Sequence, residues 1–463
     1  MESRITEILS TASEYDENAT IYYVSTSGDD DNDGLSPESP LATPQGANKY
    51  AREGDVVLFK RGEEWRARWK ANPGVTYSAY GEGAKPIFNG NLYGDAADPS
   101  LWTLVEGTDN IWEYKNEIPD VGCLVFNKGE LYGEKICLDI RKDVGDKMFY
   151  IRYSTPFDFN NQCFHNNLTF ISKFVQISKN GVDVGTPANL YLRCDGGNPG
   201  DVFDSIEIMY RGNLIGGASG VMFDNLCIKY TGSHGIGMGT VENLTVRNCE
   251  VGWIGGSAQF YKDYYVIRFG NGIEVYGGCK NFTIDNCYVY QCYDAGITHQ
   301  LQLGGTNPVT HETVRFTNNV IEKCIYNIEY FMGKADDPSV TRFMKDILYK
   351  GNILAYSGEG WGYDPSRSAS IKGWPHHNNH AEDFVIEENV FLLDKVNTSD
   401  LGVGDRDWLP SYRNNIYFRP SGSKFTNIGV NGSVKQYMSN GKTAQILNKE
   451  IGEIGANIIF VKP

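Results

Sequence analysis

Six segments in the second half of the chain repeat one short pattern. Four of them place an apolar residue, a polar residue and an Asn before an alternating strand: FDNLCI (223–228), VRNCEV (246–251), IDNCYV (284–289) and FTNNVI (316–321). Two more, LYKGNIL (348–354) and IEENVF (386–391), have the Asn moved by one place. Once two inserts, 254–269 and 300–310, are removed, the period is in the low twenties. Short strands at such a period are typical of a solenoid.

Each repeat also contains a second, Gly-rich strand, as in SHGIGM (233–238), GNGIEVYG (270–277) and DAGITHQ (294–300). Asn tolerates the left-handed backbone conformation that a sharp corner demands. Stacked Asn side chains can then hydrogen-bond from coil to coil. Cys249 and Cys287 share one offset after their Asn, and Cys292 and Cys324 share another. These positions predict small side chains stacked inside a narrow solenoid, with reduced thiols rather than disulfides.

On these motifs the chain resembles the right-handed parallel β-helix proteins of the pectate-lyase-like type. The resemblance covers residues 20–430 and is strongest over 215–395. It implies an all-β, right-handed parallel β-helix with a short N-terminal cap helix and irregular loop inserts. We expect an N-terminal helix or extension over 1–20, the β-helix over 21–430 and a C-terminal cap over 431–463. Regular coils are expected over 216–395, whereas 100–215 are either irregular coils or an inserted β subdomain.

Composition limits the possible partners. The 463 residues have a formal charge of −16 and no basic run, which argues against nucleic acid, and a polyanionic sugar would need a local basic pocket or a metal. The sequence contains no run of about 18 apolar residues, so it offers no candidate membrane-spanning helix. The N-terminus has no export signal as written, which predicts a cytoplasmic protein, although a secreted chain whose signal had been removed would look the same. The oligomeric state is left open.

The Gly-rich strands place three carboxylates on neighbouring coils. If Ile273, Ile297 and Ile328 point into the core, the residues that follow them point outward, because strand neighbours face opposite sides. That outer row is Glu274, Thr298 and Glu329. Asp294 lies at the corner of the middle coil. The two long inserts emerge beside this row and can form the walls of a cleft.

Paired carboxylates suit cleavage of a glycosidic bond, in which one donates a proton and the other acts as base or nucleophile. Glu274 and Glu329 are two rungs apart, about 9.6 Å, near the upper limit of the inverting range. Glu274 and Asp294 are on adjacent rungs and can approach the retaining range of about 5–5.5 Å. We predict Asp294, Glu274 and Glu329 as catalytic residues, with Asp294 and Glu274 as the first pair to test. The sequence leaves the anomeric outcome open.

Several residues near the inserts are candidates for substrate binding. Gln300 can hydrogen-bond hydroxyl groups, Arg268 can orient a carboxylate, and aromatic rings can pack on the C–H face of sugars. His299 either binds substrate or faces inward as a buried histidine. The predicted binding residues are His299, Gln300, Arg268, Trp253, Tyr265, Trp361 and Asp364.

Two segments raise the question of a metal. HHNNH (376–380) lacks a matching Cys or carboxylate spacing, so no metal is predicted there. Asp29, Asp31, Asp33 and Gly34 match the first half of a calcium loop, but its twelfth position is Pro40 rather than Glu. An ordinary polar turn is favoured over calcium, and no cofactor is predicted.

The stretch 269–300, FGNGIEVYGGCKNFTIDNCYVYQCYDAGITHQ, is similar to the catalytic coils of β-helix glycoside hydrolases. The resemblance implies a glycosidase acting on a largely neutral glycan or oligosaccharide, through carboxylates that project from neighbouring coils. Two alternatives remain. The first is a polysaccharide lyase on the same fold, which would act on a uronate-containing glycan. The second is a non-catalytic β-helix that only binds glycan.

Overall fold

The computed structural model describes residues 1–136, 164, 166–172, 177–178, 181–182, 187–262, 265–301, 304–362, 368–373, 380–403, 408–430 and 433–461. Within them the chain winds through three ten-stranded sheets in turn, and consecutive coils pair in parallel. This is the predicted parallel β-helix, with its hydrophobic core enclosed by the three sheets.

The first sheet contains β1 (Ile21–Val24), β2 (Val56–Lys60), β5 (Thr76–Tyr80), β18 (Met222–Asp224), β21 (Val241–Arg247), β26 (Cys279–Asp285), β29 (Val309–Thr317), β32 (Arg342–Lys350), β35 (Ala381–Glu387) and β38 (Ser411–Arg413). The second contains β3 (Glu64–Trp65), β6 (Ile87–Asn89), β19 (Cys227–Thr231), β22 (Glu250–Ile254), β27 (Tyr288–Cys292), β30 (Val320–Glu322), β33 (Ile353–Ala355), β36 (Val390–Leu392), β39 (Ile416–Pro420) and β42 (Asn457–Val461). The third contains β4 (Trp69–Lys70), β17 (Ile215–Gly216), β20 (Ile236–Met238), β25 (Ile273–Tyr276), β28 (Ala295–Leu301), β31 (Tyr326–Met332), β34 (Ala369–Gly373), β37 (Asn397–Val403), β40 (Lys424–Val430) and the antiparallel β41 (Ser433–Met438).

The region between β6 and β17 folds into separate small sheets beside the β-helix. Its strands are β7 (Trp102–Leu104), β8 (Ile111–Tyr114), β9 (Val121–Phe126), β10 (Leu131–Tyr132), β11 (Glu134–Lys135), β12 (Thr169–Ser172), β13 (Ile177–Ser178), β14 (Gly181–Val182), β15 (Leu190–Arg193) and β16 (Ile206–Tyr210). Most of their pairings are antiparallel, and these strands enclose their own hydrophobic core. The coils resume directly after it, since β17, β18 and β19 pair with β4, β5 and β6. This region is therefore an inserted subdomain rather than a set of irregular coils.

In the described part of the chain four α-helices accompany the strands: α1 (Glu2–Leu9), α2 (Pro44–Tyr50), α3 (Pro199–Val202) and α4 (Thr443–Ile451). Helix α2 covers the N-terminal end of the core, where Ala47 packs with Val24 and Leu41. Helix α1 lies along the side of the coils, because Arg4 donates to the main chain of Asn318 at 3.3 Å. Short 3-10 helices span Pro99–Leu101 and Asn127–Gly129, and an antiparallel hairpin pairs β23 (Ala258–Lys262) with β24 (Tyr265–Arg268). None of the helices in the described ranges has the length and apolar character to span a bilayer.

The predicted Asn corners form where the first sheet passes into the second. Asn225, Asn248, Asn286 and Asn318 have φ angles of 56°, 53°, 53° and 57°, in the left-handed region that Asn tolerates. The Asn286 amide donates to Asn248 Oδ1 on the preceding coil at 2.6 Å. The predicted coil-to-coil hydrogen bonding is therefore confirmed at this corner.

A second, fully buried Asn ladder lies one position further along the chain. Its members are Asn319, Asn352, Asn389 and Asn415, and none has any exposed surface. Asn389 Oδ1 accepts from both the main-chain N–H and the side-chain amide of Asn352, each at 2.9 Å. Each rung thus satisfies buried donors of its neighbour, which ties the later coils together along the axis.

In the two coils before Asn319, the positions equivalent to this ladder hold two of the predicted stacked cysteines, Cys249 and Cys287. Cys249 and Cys287 have no exposed surface, and neither do Cys292 and Cys324. All eight cysteines in the described part of the chain are buried thiols. Burial raises the pKa of the Cys287 thiol well above its usual value, which keeps it protonated and unreactive.

The outer face of the first sheet carries a row of alternating charges. Glu242, Lys280, Glu312, Lys345 and Glu382 occupy matching positions in β21, β26, β29, β32 and β35. Each of the three inner charges therefore lies opposite to one of the other sign on both neighbouring coils, as with Lys280 Nζ and Glu312 Oε2 at 3.9 Å. Opposite charges on neighbouring strands stabilise that pairing by a few tenths of a kcal/mol to about 1 kcal/mol each.

Two buried histidines form a defined hydrogen-bonded chain inside the core. His311 Nε2 donates to the Gly277 carbonyl at 2.7 Å, so its Nδ1 accepts from His299 Nδ1 at 2.8 Å. His299 Nε2 in turn accepts from the Tyr349 hydroxyl at 2.6 Å. All of these hydrogen bonds can form together only while both imidazoles are neutral. Burial accordingly lowers the pKa of His311 to about 4 and that of His299 well below its usual value.

We expect this pair to make the protein less stable in mild acid. Below about pH 6.5 these two histidines bind protons in the unfolded chain but remain neutral in the folded chain. The free energy of unfolding should therefore fall as the pH is lowered from about 6.5 to 4, by roughly 3 kcal/mol for His311 alone. Urea unfolding at pH 7.5, 6 and 5 measures this slope. His311→Gln should flatten the slope relative to wild type, and an unchanged slope in this variant would contradict the expectation.

Candidate active site

A row of polar side chains crosses the outer face of the third sheet. The strand register places Glu274 beside Thr298, Thr298 beside Glu329, Glu329 beside Lys372 and Lys372 beside Asp400. Adjacent rungs of a sheet are about 4.8 Å apart, so five consecutive coils contribute to one continuous line. The predicted row of Glu274, Thr298 and Glu329 is part of it.

Glu274 is held by three polar neighbours and is only 5 % exposed. His234 Nδ1 lies 2.7 Å from its Oε2, and the Asn271 amide donates to the same oxygen at 3.0 Å. The Gln300 amide donates to Oε1 at 3.2 Å. Burial by itself would raise the pKa of Glu274, but His234 and these hydrogen bonds outweigh it and lower the pKa. Glu274 is therefore ionised near neutral pH.

Glu329 has the opposite electrostatic character. It is 2 % exposed, and its Oε1 lies 3.2 Å from Lys372 Nζ. Burial raises the pKa of Glu329 to about 7; Lys372 opposes the rise, and the charges of Asp294 and Glu274 add to it. Near neutral pH a large share of Glu329 is therefore protonated and able to donate.

Asp294 occupies the corner between β27 and β28 and is half-buried. Its N–H donates to the Gly270 carbonyl at 3.2 Å, and its own carbonyl accepts from the Tyr326 N–H at 3.0 Å. The corner is thus fixed to the coils on both sides. The charge of Asp294 raises the pKa of Glu329 and of Lys372. Asp294 thus lies at the corner of the coil between the two coils that carry Glu274 and Glu329, the other predicted carboxylates.

Lys372 neutralises part of this acidic cluster. Its ammonium lies 3.7 Å from the centre of the Tyr326 ring as well as beside Glu329. Burial alone would lower the pKa of Lys372, but Tyr326, Glu329 and Asp294 together raise it. Lys372 is consequently a stable cation that balances charge, and it is a poor proton acceptor.

Arg268 and Trp361 meet beside the Asp294 corner. The Arg268 guanidinium lies 3.9 Å from the centre of the Tyr293 ring and donates to the carbonyls of Gly256 and Gly122 at 2.5 Å and 3.1 Å. Trp361 donates its indole N–H to the Gln291 carbonyl at 2.9 Å and packs against Tyr293. Arg268 therefore links the hairpin of β23 and β24 to the inserted subdomain at the edge of the carboxylate cluster.

Two of the predicted binding residues are placed elsewhere. His299 has no exposed surface and lies inside the core with His311, so the inward-facing alternative holds. Its neighbours in the strand, Thr298 and Gln300, are the ones that face outward. Trp253 is 4 % exposed and packs with Cys123 under the inserted subdomain, which removes its ring from any substrate surface. The side chains of Tyr265 and Asp364 lie outside the described residues.

The acidic turn near the N-terminus is used for local structure. Asp30 accepts from the main-chain N–H groups of Ala42 and Thr43, both at 2.9 Å, and so fixes the start of α2. Asp29 and Asp33 each accept from an N–H two residues further on, as turn-forming carboxylates do. The described residues contain no group of three or more His, Cys, Asp or Glu side chains able to hold a metal ion. Residues 376–379 of HHNNH lie outside the described part.

Sequence reasoning missed Lys372, His234 and Asn271. Lys372 had a usable signal: it follows Ile371 just as Glu274 follows Ile273, so continuing the row by one coil would have found it. His234 and Asn271 lie in corners, where no alternation indicates which way a side chain points. Tyr276 was also missed; it lies two residues beyond Glu274 on the same face and is 42 % exposed, an accessible aromatic surface next to the carboxylates.

Comparison with known proteins identifies no family. No protein-family model matches the chain, and no curated protein matches it either. Among solved structures it resembles one described as a glycoside hydrolase, at 9 % identity and a TM-score of 0.47, over 95 % of this chain and 96 % of that one. It also resembles pectate lyase Pel9A, at 12 % identity and a TM-score of 0.45, over 91 % of this chain and 78 % of that one. A third similar structure is the GH136 lacto-N-biosidase from Eubacterium ramulus, at 14 % identity and a TM-score of 0.38, over 95 % of this chain and 68 % of that one. These likenesses carry no argument about the reaction.

Proposed function

We propose that the protein is a glycoside hydrolase in which Glu329 is the general acid and Glu274 the general base. One observation carries the proposal: two carboxyl groups lie two rungs apart on one sheet face, and their surroundings shift their pKa values in opposite directions. Such a divergence assigns the acid and the base in many glycosidases and other acid–base enzymes. Asp294 is the neighbour whose charge helps to keep Glu329 protonated.

The reaction follows from that assignment. Glu329 donates its proton to the glycosidic oxygen as the bond to the anomeric carbon breaks. Glu274 accepts a proton from a water molecule that attacks the same carbon from the opposite side. Two rungs correspond to about 9.6 Å, close to the upper end of the separation of roughly 6.5–9.5 Å found in inverting enzymes. The proposed outcome is therefore inversion at the anomeric carbon.

The charges of the site favour a neutral glycan. Lys372 lies between Glu329 and Asp400 in the row, and its ammonium already lies against Glu329 and Tyr326. An anionic sugar would have to compete with those partners for the one lysine of the row.

The polysaccharide-lyase alternative is less well supported. A lyase needs a base that removes a proton next to a uronate carboxylate, and Lys372 is the lysine nearest to the cluster. Its raised pKa disfavours that role. A screen with aryl glycosides and neutral and uronate-containing oligosaccharides separates the alternatives. New reducing ends support the hydrolase, an unsaturated product absorbing in the ultraviolet supports the lyase, and binding without turnover supports a glycan-binding protein.

We expect kcat/KM on a confirmed substrate to have a bell-shaped pH dependence. The limb at high pH should lie at about pH 7, where Glu329 loses its proton, and the limb at low pH should lie below the usual Glu value of 4.5. Lys372→Met should move the upper limb to higher pH, because Lys372 lowers the pKa of Glu329. Lys280→Met, on the first sheet, should leave both limbs in place. An upper limb unmoved by Lys372→Met would contradict the assignment of Glu329.

A further inference from the structure

The Thr298 hydroxyl is an unusual feature at the centre of the polar row. Thr298 has no exposed surface, and its Oγ1 has no hydrogen-bond partner among the described residues. Buried hydroxyl groups in folded proteins nearly always have a partner, whether protein or water. An unpaired one loses its interaction with solvent without compensation. The unpaired Thr298 hydroxyl therefore indicates a position for a small polar molecule.

The position of Thr298 restricts what that molecule can be. Its strand lies between β25 and β31, so the hydroxyl lies between the rungs of Glu274 and Glu329. The polar neighbours of Glu274 are His234, Asn271 and Gln300, and that of Glu329 is Lys372. Neither carboxylate uses Thr298. The hydroxyl is thus left for a molecule located between the proposed acid and the proposed base, and a water molecule matches that size and hydrogen-bonding capacity.

We propose that Thr298 holds the attacking water of an inverting hydrolysis. The inference rests on the glycosidase function proposed above and adds the position of its nucleophile. One O–H of the water donates to Glu274 and the other to Thr298 Oγ1, which directs an oxygen lone pair at the anomeric carbon. The water oxygen forms the new C–O bond, its proton passes to Glu274, the glycosidic C–O bond breaks, and the leaving oxygen takes the proton of Glu329. One water is consumed, and each fragment gains a hydroxyl group.

Two substitutions test the role of this hydroxyl. Thr298→Val keeps the shape of the side chain and removes Oγ1, whereas Thr298→Ser keeps the hydroxyl. We expect Thr298→Val to lower kcat roughly ten- to a hundredfold with KM nearly unchanged, because misplacing a reacting group has effects of that order. Thr298→Ser should stay within about threefold of wild type. The thermal midpoint of Thr298→Val should be equal to or above that of wild type, since Oγ1 makes no hydrogen bond to another described residue.

The stereochemistry gives a second, independent readout. Proton NMR of the first product formed should show inverted anomeric configuration. Wild-type kcat in Thr298→Val, or a loss of activity that parallels a lower thermal midpoint, would overturn the role of Thr298 while leaving the hydrolase proposal in place. Retention would overturn both this role and the assignment of Glu274 as the general base, but not the hydrolysis itself. A wild-type protein that hydrolyses no member of the substrate panel would overturn both.

Discussion

Replacing Glu274 or Glu329 with Gln should lower the turnover number at least about a hundredfold, the low end of what general acid–base catalysis contributes. Gln has the size and hydrogen-bonding shape of Glu, but it cannot exchange a proton at neutral pH. Glu329→Gln would remove the proton donor whose pKa burial raises to about 7. Glu274→Gln would remove the carboxylate that three polar neighbours keep ionised. Steady-state kinetics at the pH optimum, on a substrate from the screen, measures both effects.

Asp294→Asn decides between the two possible carboxylate pairs. If Asp294 only tunes Glu329, this variant should keep more activity than the two Gln variants and show an upper pH limb moved to lower pH. If Asp294→Asn falls as low as Glu274→Gln while Glu329→Gln keeps more activity, the pair predicted first from the sequence, Asp294 with Glu274, is the catalytic one. Glu312→Gln, on the exposed face of the first sheet, serves as the control and should behave as wild type. Near-wild-type turnover in both Glu274→Gln and Glu329→Gln would rule out the proposed site.

Asn389→Ala should destabilise the protein by roughly 3–5 kcal/mol, the largest effect on stability that we expect from a single side chain. The substitution removes the acceptor of the N–H and amide groups of Asn352. It also removes the donors to the Tyr349 carbonyl and to Asn415 Oδ1, at 2.9 Å and 3.1 Å. All of these groups are buried, so water cannot replace the lost hydrogen bonds without entering the core.

Chemical denaturation of both variants and wild type measures the change in the free energy of unfolding. Asn457→Ala is the matched control, because Asn457 is an exposed Asn at the edge of the same sheet and should change stability by less than about 0.5 kcal/mol. Equal effects of Asn389→Ala and Asn457→Ala would show that the buried ladder contributes little beyond the sheet hydrogen bonds.

The sequence was sufficient for features that depend on local alternation. The Asn corners were predicted because few residues accept a left-handed backbone, and Asn248 and Asn286 do have positive φ. The outward row was predicted because a strand has a period of two, which places Glu274 and Glu329 on one face once the Ile row is known.

The features that the sequence did not reveal depend on contacts between distant segments. Asn271 and His234 lie in corners, so their contact with Glu274 follows from the path of the chain rather than from any periodicity. Likewise, burial of Trp253 follows from the inserted subdomain that covers it, and a sequence without a repeat over 100–215 gives no indication of where that subdomain packs.

The alternating charges on the first sheet set a condition on how the length of the β-helix can change. Deleting the coil that carries Lys280 would bring Glu242 opposite Glu312, and the like charges would meet at the new junction. Deleting two adjacent coils would bring Glu242 opposite Lys345 instead, and attraction would be restored. Gains and losses of coils in this region should therefore be tolerated better in pairs than singly. The number of coils should change in steps of two.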